Sequence, residues 1–222
     1  MKFENDQLFH IYNQGNNRRD IFFEEENYYF FLWKMRTHLL PFGDLVSYCL
    51  MPNHFHWQFY VREVEIAREK YWEHTDTIEL QRRQIKYGNN ARPVQRKANR
   101  DRKLKTITLN ESISILLRSY TRAIEKPRDW SGSLFRNRTQ AKSGIIEEFV
   151  TLIRSNGQLD PRFQIGTNYR HHCFYYIHNN PVVAGLVAKP EDWPFSSARD
   201  YAGLRNGTLC NLKLGKEIIK NL

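Results

Sequence analysis

Cysteine is scarce in this 222-residue sequence: Cys49, Cys173 and Cys210 are its three, and none belongs to a CxxC pair. So small and odd a set argues against a disulfide framework and for a reducing compartment. The opening Met-Lys-Phe-Glu-Asn-Asp lacks the apolar stretch and small-residue cleavage site of a signal peptide. Long apolar runs are missing as well. Tyr28 to Trp33 is quickly followed by Lys34 and Arg36, so no segment reaches membrane-spanning length. These absences predict a soluble cytoplasmic protein with no membrane partner. Acidic residues are outnumbered too, 24 Asp and Glu against 34 Lys and Arg, which leaves a formal charge of +10. Charge of that sign favours a polyanionic partner, most commonly nucleic acid.

Apolar residues make up 41% of the chain and aromatics 14%, enough for a core. The length suits one domain, placed at 1–205 with a basic insert at about 62–107 and a C-terminal tail at 206–222. Leu8 to Tyr12 reads as a strand that stops at the turn Gly15-Asn16-Asn17. Glu24 to Leu40 has helical spacing in Tyr28, Phe31, Leu32 and Met35, ended by Pro41 and Gly43. Strands follow at Leu45 to Leu50 and at His54 to about Val61. This β-α-β-β order predicts an α+β, ferredoxin-like sandwich with an antiparallel sheet and helices over one face. Gln81 to Lys105 holds ten Lys or Arg and one Asp, so the excess charge concentrates in what reads as a basic loop or partly ordered arm. Its Arg96, Lys97, Arg100 and Arg102 are candidates for phosphate contact, with a solubilising surface loop as the alternative. Beyond it, Thr108 or Asn110 caps a helix carrying Ile113, Leu116, Leu117, Tyr120 and Ile124, which stops near Lys126 before Pro127. Gly132 to Arg138 reads as a turn into a short strand with Arg136 and Arg138 on one face. Helices are expected at Ile145 to Ile153 and at Tyr169 to Asn180, the last stopped by Pro181.

The run Met51-Pro52-Asn53-His54-Phe55-His56-Trp57 places two imidazoles two residues apart. On a strand they project from one face and suit a single divalent ion, although two hydrogen-bonded surface histidines fit the pattern equally well. The helix at 169–180 supplies Tyr176 and Asn180, four residues apart on one face. A tyrosine can attack phosphorus, and an amide oxygen beside two histidines suits Mg²⁺ or Mn²⁺. His54, His56 and Asn180 therefore form a candidate metal site facing Tyr176 as nucleophile, against the alternative that Tyr176 is a core aromatic. Rival sets are a zinc site at His171, Cys173 and His178, and Tyr120 as nucleophile between Arg118 and Arg122. Tyr175 points away from Tyr176 and reads as core.

Five stretches resemble a known family in order: Ile11-Tyr12-Asn13-Gln14-Gly15-Asn16-Asn17-Arg18, Cys49 to His56, Gly132 to Arg138, Tyr176 to Val187, and Asp192-Trp193-Pro194-Phe195-Ser196-Ser197-Ala198. The sequence is similar to the IS200-like single-tyrosine transposases, most closely the group associated with repetitive extragenic palindromes, over about residues 8–203. These are HUH enzymes, named for the His-hydrophobic-His pair. The resemblance implies a ferredoxin-like domain that binds palindromic DNA as a hairpin and nicks an adjacent single strand. It implies His54, His56 and Asn180 as ligands of Mg²⁺ or Mn²⁺, Tyr176 as the nucleophile that forms a 5′-phosphotyrosine, and a monomer or homodimer. Arg18, Arg118, Arg122, Arg136 and Arg138 join the basic insert as expected DNA contacts. Gln14 departs from the pattern where an arginine is common, and Glu125 lies near a usual Asn. The segments 62–105 and 157–167 are longer than in compact members. The alternative function is a hairpin DNA-binding protein of the same fold that does not cleave; an RNA-binding role finds little support beyond charge.

Overall fold

The computed structural model describes residues 1–93, 105–143 and 169–220. The expected helix at 145–153, the segment 157–167 and the basic residues Arg96, Lys97, Arg100 and Arg102 lie outside the described residues.

Alternation of residue type builds the central sheet. In the strand His54–Val61 (β3), Phe55, Trp57, Phe59 and Val61 are fully buried on one face, while His54, His56, Gln58 and Tyr60 take the other. β3 pairs antiparallel with Gln7–Gln14 (β1) on one side and with Gly43–Met51 (β2) on the other. A fourth strand, Gln140–Ser143, pairs antiparallel with β1 and gives the order β2-β3-β1-fourth. That order and the intervening helices make the fold α+β, with the ferredoxin-like topology expected from the sequence. The fourth strand itself is displaced from the expectation. Residues 132–138 form irregular backbone, joined to the sheet by a single bridge between Phe135 and Gly15.

Helix Glu25–His38 (α1) buries Tyr28, Phe31 and Met35 at helical spacing against the apolar face of the sheet. A second helix on that face, Leu109–Glu125, starts at a capping box in which Thr108 and Glu111 each bond the other's backbone N–H. Its Ile113, Leu116, Tyr120 and Ile124 complete the main core.

Between β3 and that helix the chain departs from a loose basic arm. Glu65–Ala67 (β4) pairs antiparallel with Thr106–Thr108 (β5), closing the insert at its base. Helix Arg68–Tyr87 (α2) runs past Gln81, where a loop was expected, because Glu79 pairs with Arg82 and Arg83 at i+3 and i+4. Ile66, Tyr71 and Ile107 join the main core, so both ends of the insert belong to the fold. Helix Leu109–Glu125 is thus α3, and the strand Gln140–Ser143 is β6.

Helices cover the second sheet face as well, contrary to the expected one-sided sandwich. Tyr169–Val183 (α4) seats Cys173 and Ile177 on Cys49 and Met51 of β2, and Phe174 on Leu8 and Val46. The helix runs through Pro181 rather than stopping there. Pro181 has no N–H to donate to the carbonyl four residues back, and only two residues of the helix follow it. Gly185, at φ 69°, then ends the helix: Leu186 N–H donates to Pro181 O (2.9 Å) and Gly185 N–H to Val182 O (3.0 Å). A short helix, Ala198–Tyr201 (α5), precedes Leu212–Lys220 (α6), which lays Leu214, Ile218 and Ile219 beside Phe174 and Tyr201. Residues placed in a tail by the sequence thus pack on the α4 side of the sheet.

Candidate active site

The polar face of the sheet is where chemistry-bearing residues gather. Strand register puts Gln14 opposite His54, Tyr12 opposite His56 and His10 opposite Gln58. Residues directly opposite in an antiparallel pair share a face, so His10, Tyr12, His54 and His56 form one patch. The His54 and His56 rings stand 5.0 Å apart between centroids and nearly perpendicular, and the Tyr12 ring lies 5.7 Å from His56.

Each histidine of the pair has its Nδ1 occupied. His54 Nδ1 donates to Asn53 Oδ1 (2.6 Å), and Asn53 Nδ2 donates to the Arg18 carbonyl (3.2 Å). The Pro52-Asn53 turn is itself tied to the loop after β1, through Gly15 N–H to Asn53 O (2.8 Å) and Ile21 N–H to Pro52 O (2.8 Å). A Cβ on Gly15 would stand 2.0 Å from the Arg19 carbonyl oxygen, so this loop needs glycine to close. His56 Nδ1 is bonded to His10 Nε2 at 2.9 Å, in the buried part of the face.

Helix α4 forms the opposite wall. Gln58 Nε2 donates to the Arg170 carbonyl (2.8 Å), fixing the first turn of α4 against β3. The His178 ring is held by Ser197 Oγ (2.7 Å), and Ser197 is bonded in turn to the Tyr48 backbone. Between these two anchors Tyr176 presents its ring 5.3 Å from His56 and 6.1 Å from His10. It is 47% exposed, which leaves one side open to a substrate and sets aside the reading of Tyr176 as core. One turn later Asn180 donates Nδ2 to the Tyr176 carbonyl (2.8 Å).

Burial keeps these imidazoles neutral. Desolvation, with the nearby His10 and His54, holds His56 well below its ordinary value. His10 is pushed down to about 3 by burial first and by Lys142 second. His54 is also lowered by burial, against an opposing hydrogen bond with Asn180. Neutral imidazole is the form that binds metal. Among the described residues no group of three or more His, Cys, Asp or Glu gathers to hold an ion.

Three of the expected DNA-contacting arginines sit at this end of the sheet. Exposed Arg18 follows β1 with φ 60° and shares its carbonyl with Asn53. Arg136 N–H bonds the Gln14 carbonyl (2.9 Å), and exposed Arg138 adjoins Thr139, whose hydroxyl accepts from Asn13. Arg118 and Arg122 are exposed on α3, in the layer across the sheet, and are not brought to the histidine face. The rival assignments separate. Tyr120 is fully buried with its hydroxyl donating to Ile21 O (2.6 Å). Cys173 is buried against Cys49 and Met51, and His178 is bonded to Ser197, so His171, Cys173 and His178 do not converge. Tyr175, expected in the core, is instead 55% exposed and lies beside the tilted His171 ring at 4.7 Å, because the α4 face turned to the sheet is the one bearing Cys173, Phe174 and Ile177. Glu125 is buried and paired with Arg19 at 3.3 Å, a packing role. His10 was not among the sequence candidates; its only signal was its place, two before Tyr12, on one strand face.

No protein-family model matches the chain. No curated protein matches it either. One solved structure is similar, described as "Structure of the REP associates tyrosine transposase bound to a REP hairpin", with 16% identity and a TM-score of 0.48 over 95% of this chain and 92% of that one. A likeness of that strength assigns neither an activity nor residue roles to this chain.

Proposed function

We propose that this protein is a transposase-like, single-tyrosine DNA nickase and strand transferase that acts on single-stranded DNA beside a hairpin, with Mg²⁺ or Mn²⁺ as cofactor. The observation that carries the reading is the meeting of two walls. The Tyr176 ring stands 5.3 Å from His56, and one helical turn on Asn180, tied to the Tyr176 carbonyl, lies close enough to His54 to act on its titration. Two neutral imidazoles and one amide oxygen fit a divalent ion that accepts nitrogen and oxygen donors together, as Mn²⁺ does. When bound, the ion supplies charge stabilisation at the scissile phosphate.

The residues of the chain do the rest. The Tyr176 hydroxyl attacks phosphorus, its oxygen forms the new bond and its proton leaves. The bond to the 3′ oxygen breaks, that oxygen takes up a proton as a 3′-OH, and the strand's 5′ end stays on the tyrosine. Reversal with an incoming 3′-OH rejoins strands, because the phosphodiester is conserved in the phosphotyrosine. Arg18, Arg136 and Arg138 hold backbone phosphates at the open end of the sheet. The hairpin as substrate rests on the motif resemblance, and the +10 charge agrees with a DNA partner.

The test is a labelled hairpin oligonucleotide with a single-stranded flank, incubated with Mn²⁺ and resolved on a denaturing gel. A covalent protein–DNA band that EDTA prevents is the expected result. Tight hairpin binding with no band under Mg²⁺ or Mn²⁺ would sink the nickase and leave a binding protein.

A further inference from the structure

A third histidine on the strand face has no part in the chemistry above. His10 of β1 lies diagonal to His56 across the β1–β3 pairing and is buried, its Nε2 2.9 Å from His56 Nδ1. The two rings are tilted by 30° with centroids 5.1 Å apart, and Tyr12 covers His10 at 4.9 Å.

A neutral imidazole has one N–H and one lone pair, so a hydrogen bond between two of them has two forms. In the first, His56 Nδ1–H donates to His10 and the lone pair of His56 is on Nε2. In the second, His10 Nε2–H donates, His56 carries its proton on Nε2, and no nitrogen of His56 is left to bind a metal. For His54 the partner at Nδ1 is an amide oxygen. Asn53 Oδ1 can only accept, and the Asn53 amide is oriented because its Nδ2 donates to the Arg18 carbonyl. The Asn53 contact thus favours the tautomer of His54 with its proton on Nδ1 and its lone pair on Nε2.

We propose that His10 does for His56 what Asn53 does for His54: it accepts the Nδ1 proton and holds His56 in the tautomer whose Nε2 lone pair serves the metal. His10 is a positioning residue and touches neither metal nor DNA. Its own proton then resides on Nδ1. The inference rests on the metal reading above, which is what selects the first form, while the tautomer itself is measured in the metal-free protein. A ligating histidine stripped of its outer partner typically loses about 10- to 100-fold in metal affinity.

The experiment uses the full chain with Mn²⁺ alone as probe, titrated by calorimetry and by electron paramagnetic resonance. His10→Phe, which fills the space without an acceptor, is expected to weaken Mn²⁺ binding by about 10- to 100-fold. Hairpin binding measured in EDTA should not change. His10→Gln offers an amide oxygen to the same proton and should restore most of the affinity. Long-range ¹H–¹⁵N correlation of the metal-free wild type should show His56 protonated on Nδ1. Wild-type Mn²⁺ affinity in a folded His10→Phe, or a proton on His56 Nε2, overturns the proposal. If His56→Ala leaves Mn²⁺ binding intact, the metal reading has failed, and the His56 tautomer alone decides whether His10 is the acceptor. Should His10→Phe not fold, the Gln variant and the wild-type spectrum carry the decision.

Discussion

The two faces of the one sheet are built on different physical terms from alternate residues of the same strands. Toward α1 and α3 stand Ile11, Phe55, Trp57 and Phe59, all without solvent exposure. There Phe55 stacks on Trp57 at 4.2 Å, and Phe31 reaches Phe55 at 5.4 Å and Tyr120 at 4.8 Å. Toward α4 stand His10, Tyr12, His54, His56 and Gln58, where a direction matters more than a volume: His54 to Asn53, His56 to His10, Gln58 to Arg170. The apolar face contributes hydrophobic and dispersion stabilisation. The polar face gains little by burial and depends on satisfied hydrogen bonds. Each histidine is thereby flanked along β3 by residues locked in the core, which gives the site the rigidity that metal chemistry requires. Damage to the two faces should then be read by different measurements.

The largest separation is expected from Tyr176→Phe. The hydroxyl lies on a half-exposed side chain, so its removal should leave thermal stability within about 0.5 kcal/mol of wild type. The covalent DNA product should disappear entirely on a denaturing gel while hairpin affinity holds. A persisting adduct would transfer the nucleophile to Tyr175, since Tyr120 is sealed in the core. The converse variant is Phe59→Ala on the apolar face. It empties a fully buried position and should cost about 3–5 kcal/mol in chemical denaturation. Any Phe59→Ala protein that remains folded should still form adduct. Loss of adduct formation without loss of stability would mean that the faces are not separable.

Much of this division was legible in the sequence because period-two alternation survives without knowledge of partners. Phe55, Trp57 and Phe59 against His54, His56 and Gln58 announce a two-faced strand, and the spacing of Tyr176 and Asn180 announces one helix face. Register was not legible. Nothing local to Leu8-Phe9-His10-Ile11-Tyr12 says that His10 meets His56, since that depends on how β1 slides along β3. The same limit hid the β4–β5 pairing, whose strands are three residues each and lie about 40 positions apart. Side-specific ion pairing hid the second half of α2, where Arg82 and Arg83 raise the local basic charge yet serve Glu79. Pro181 misled for a third reason: a helix-breaking residue is tolerated in a last turn that Gly185 closes.

Salt dependence tests which side of the sheet meets DNA. Arg18, Arg136 and Arg138 lie at the histidine end, whereas Arg118 and Arg122 lie on α3 across the core. Neutralising the first three should lower the slope of log affinity against log salt by about two to three, since each phosphate that a cation no longer neutralises removes roughly 0.7–0.9. Replacing both α3 arginines should leave the slope unchanged. Equal effects from the two groups would place DNA around both layers and end the assignment of the polar face as the DNA-facing one.

The smallest effect, and one confined to the apolar side, is expected from Glu111→Gln at the start of α3. Glu111 accepts from Thr108 N–H (2.8 Å) and Thr108 Oγ1 accepts from Glu111 N–H (3.2 Å), so the carboxylate completes the cap of the helix that carries the main core. The Thr108 backbone N–H is the first cause holding the Glu111 carboxyl below its ordinary value. A carboxyl depressed in the folded state contributes stability at neutral pH, and that contribution fades as pH falls through the acidic carboxylate range. Gln keeps an acceptor oxygen but no charge, so Glu111→Gln should reduce the melting temperature slightly at pH 7 and converge with wild type as the pH is lowered. Mn²⁺ affinity and adduct yield, properties of the opposite face, should not move at any pH where the protein is folded. A change in either would show that the capping turn of α3 is coupled through the sheet to His54 and His56, and the two faces would then have to be treated as one cooperative unit.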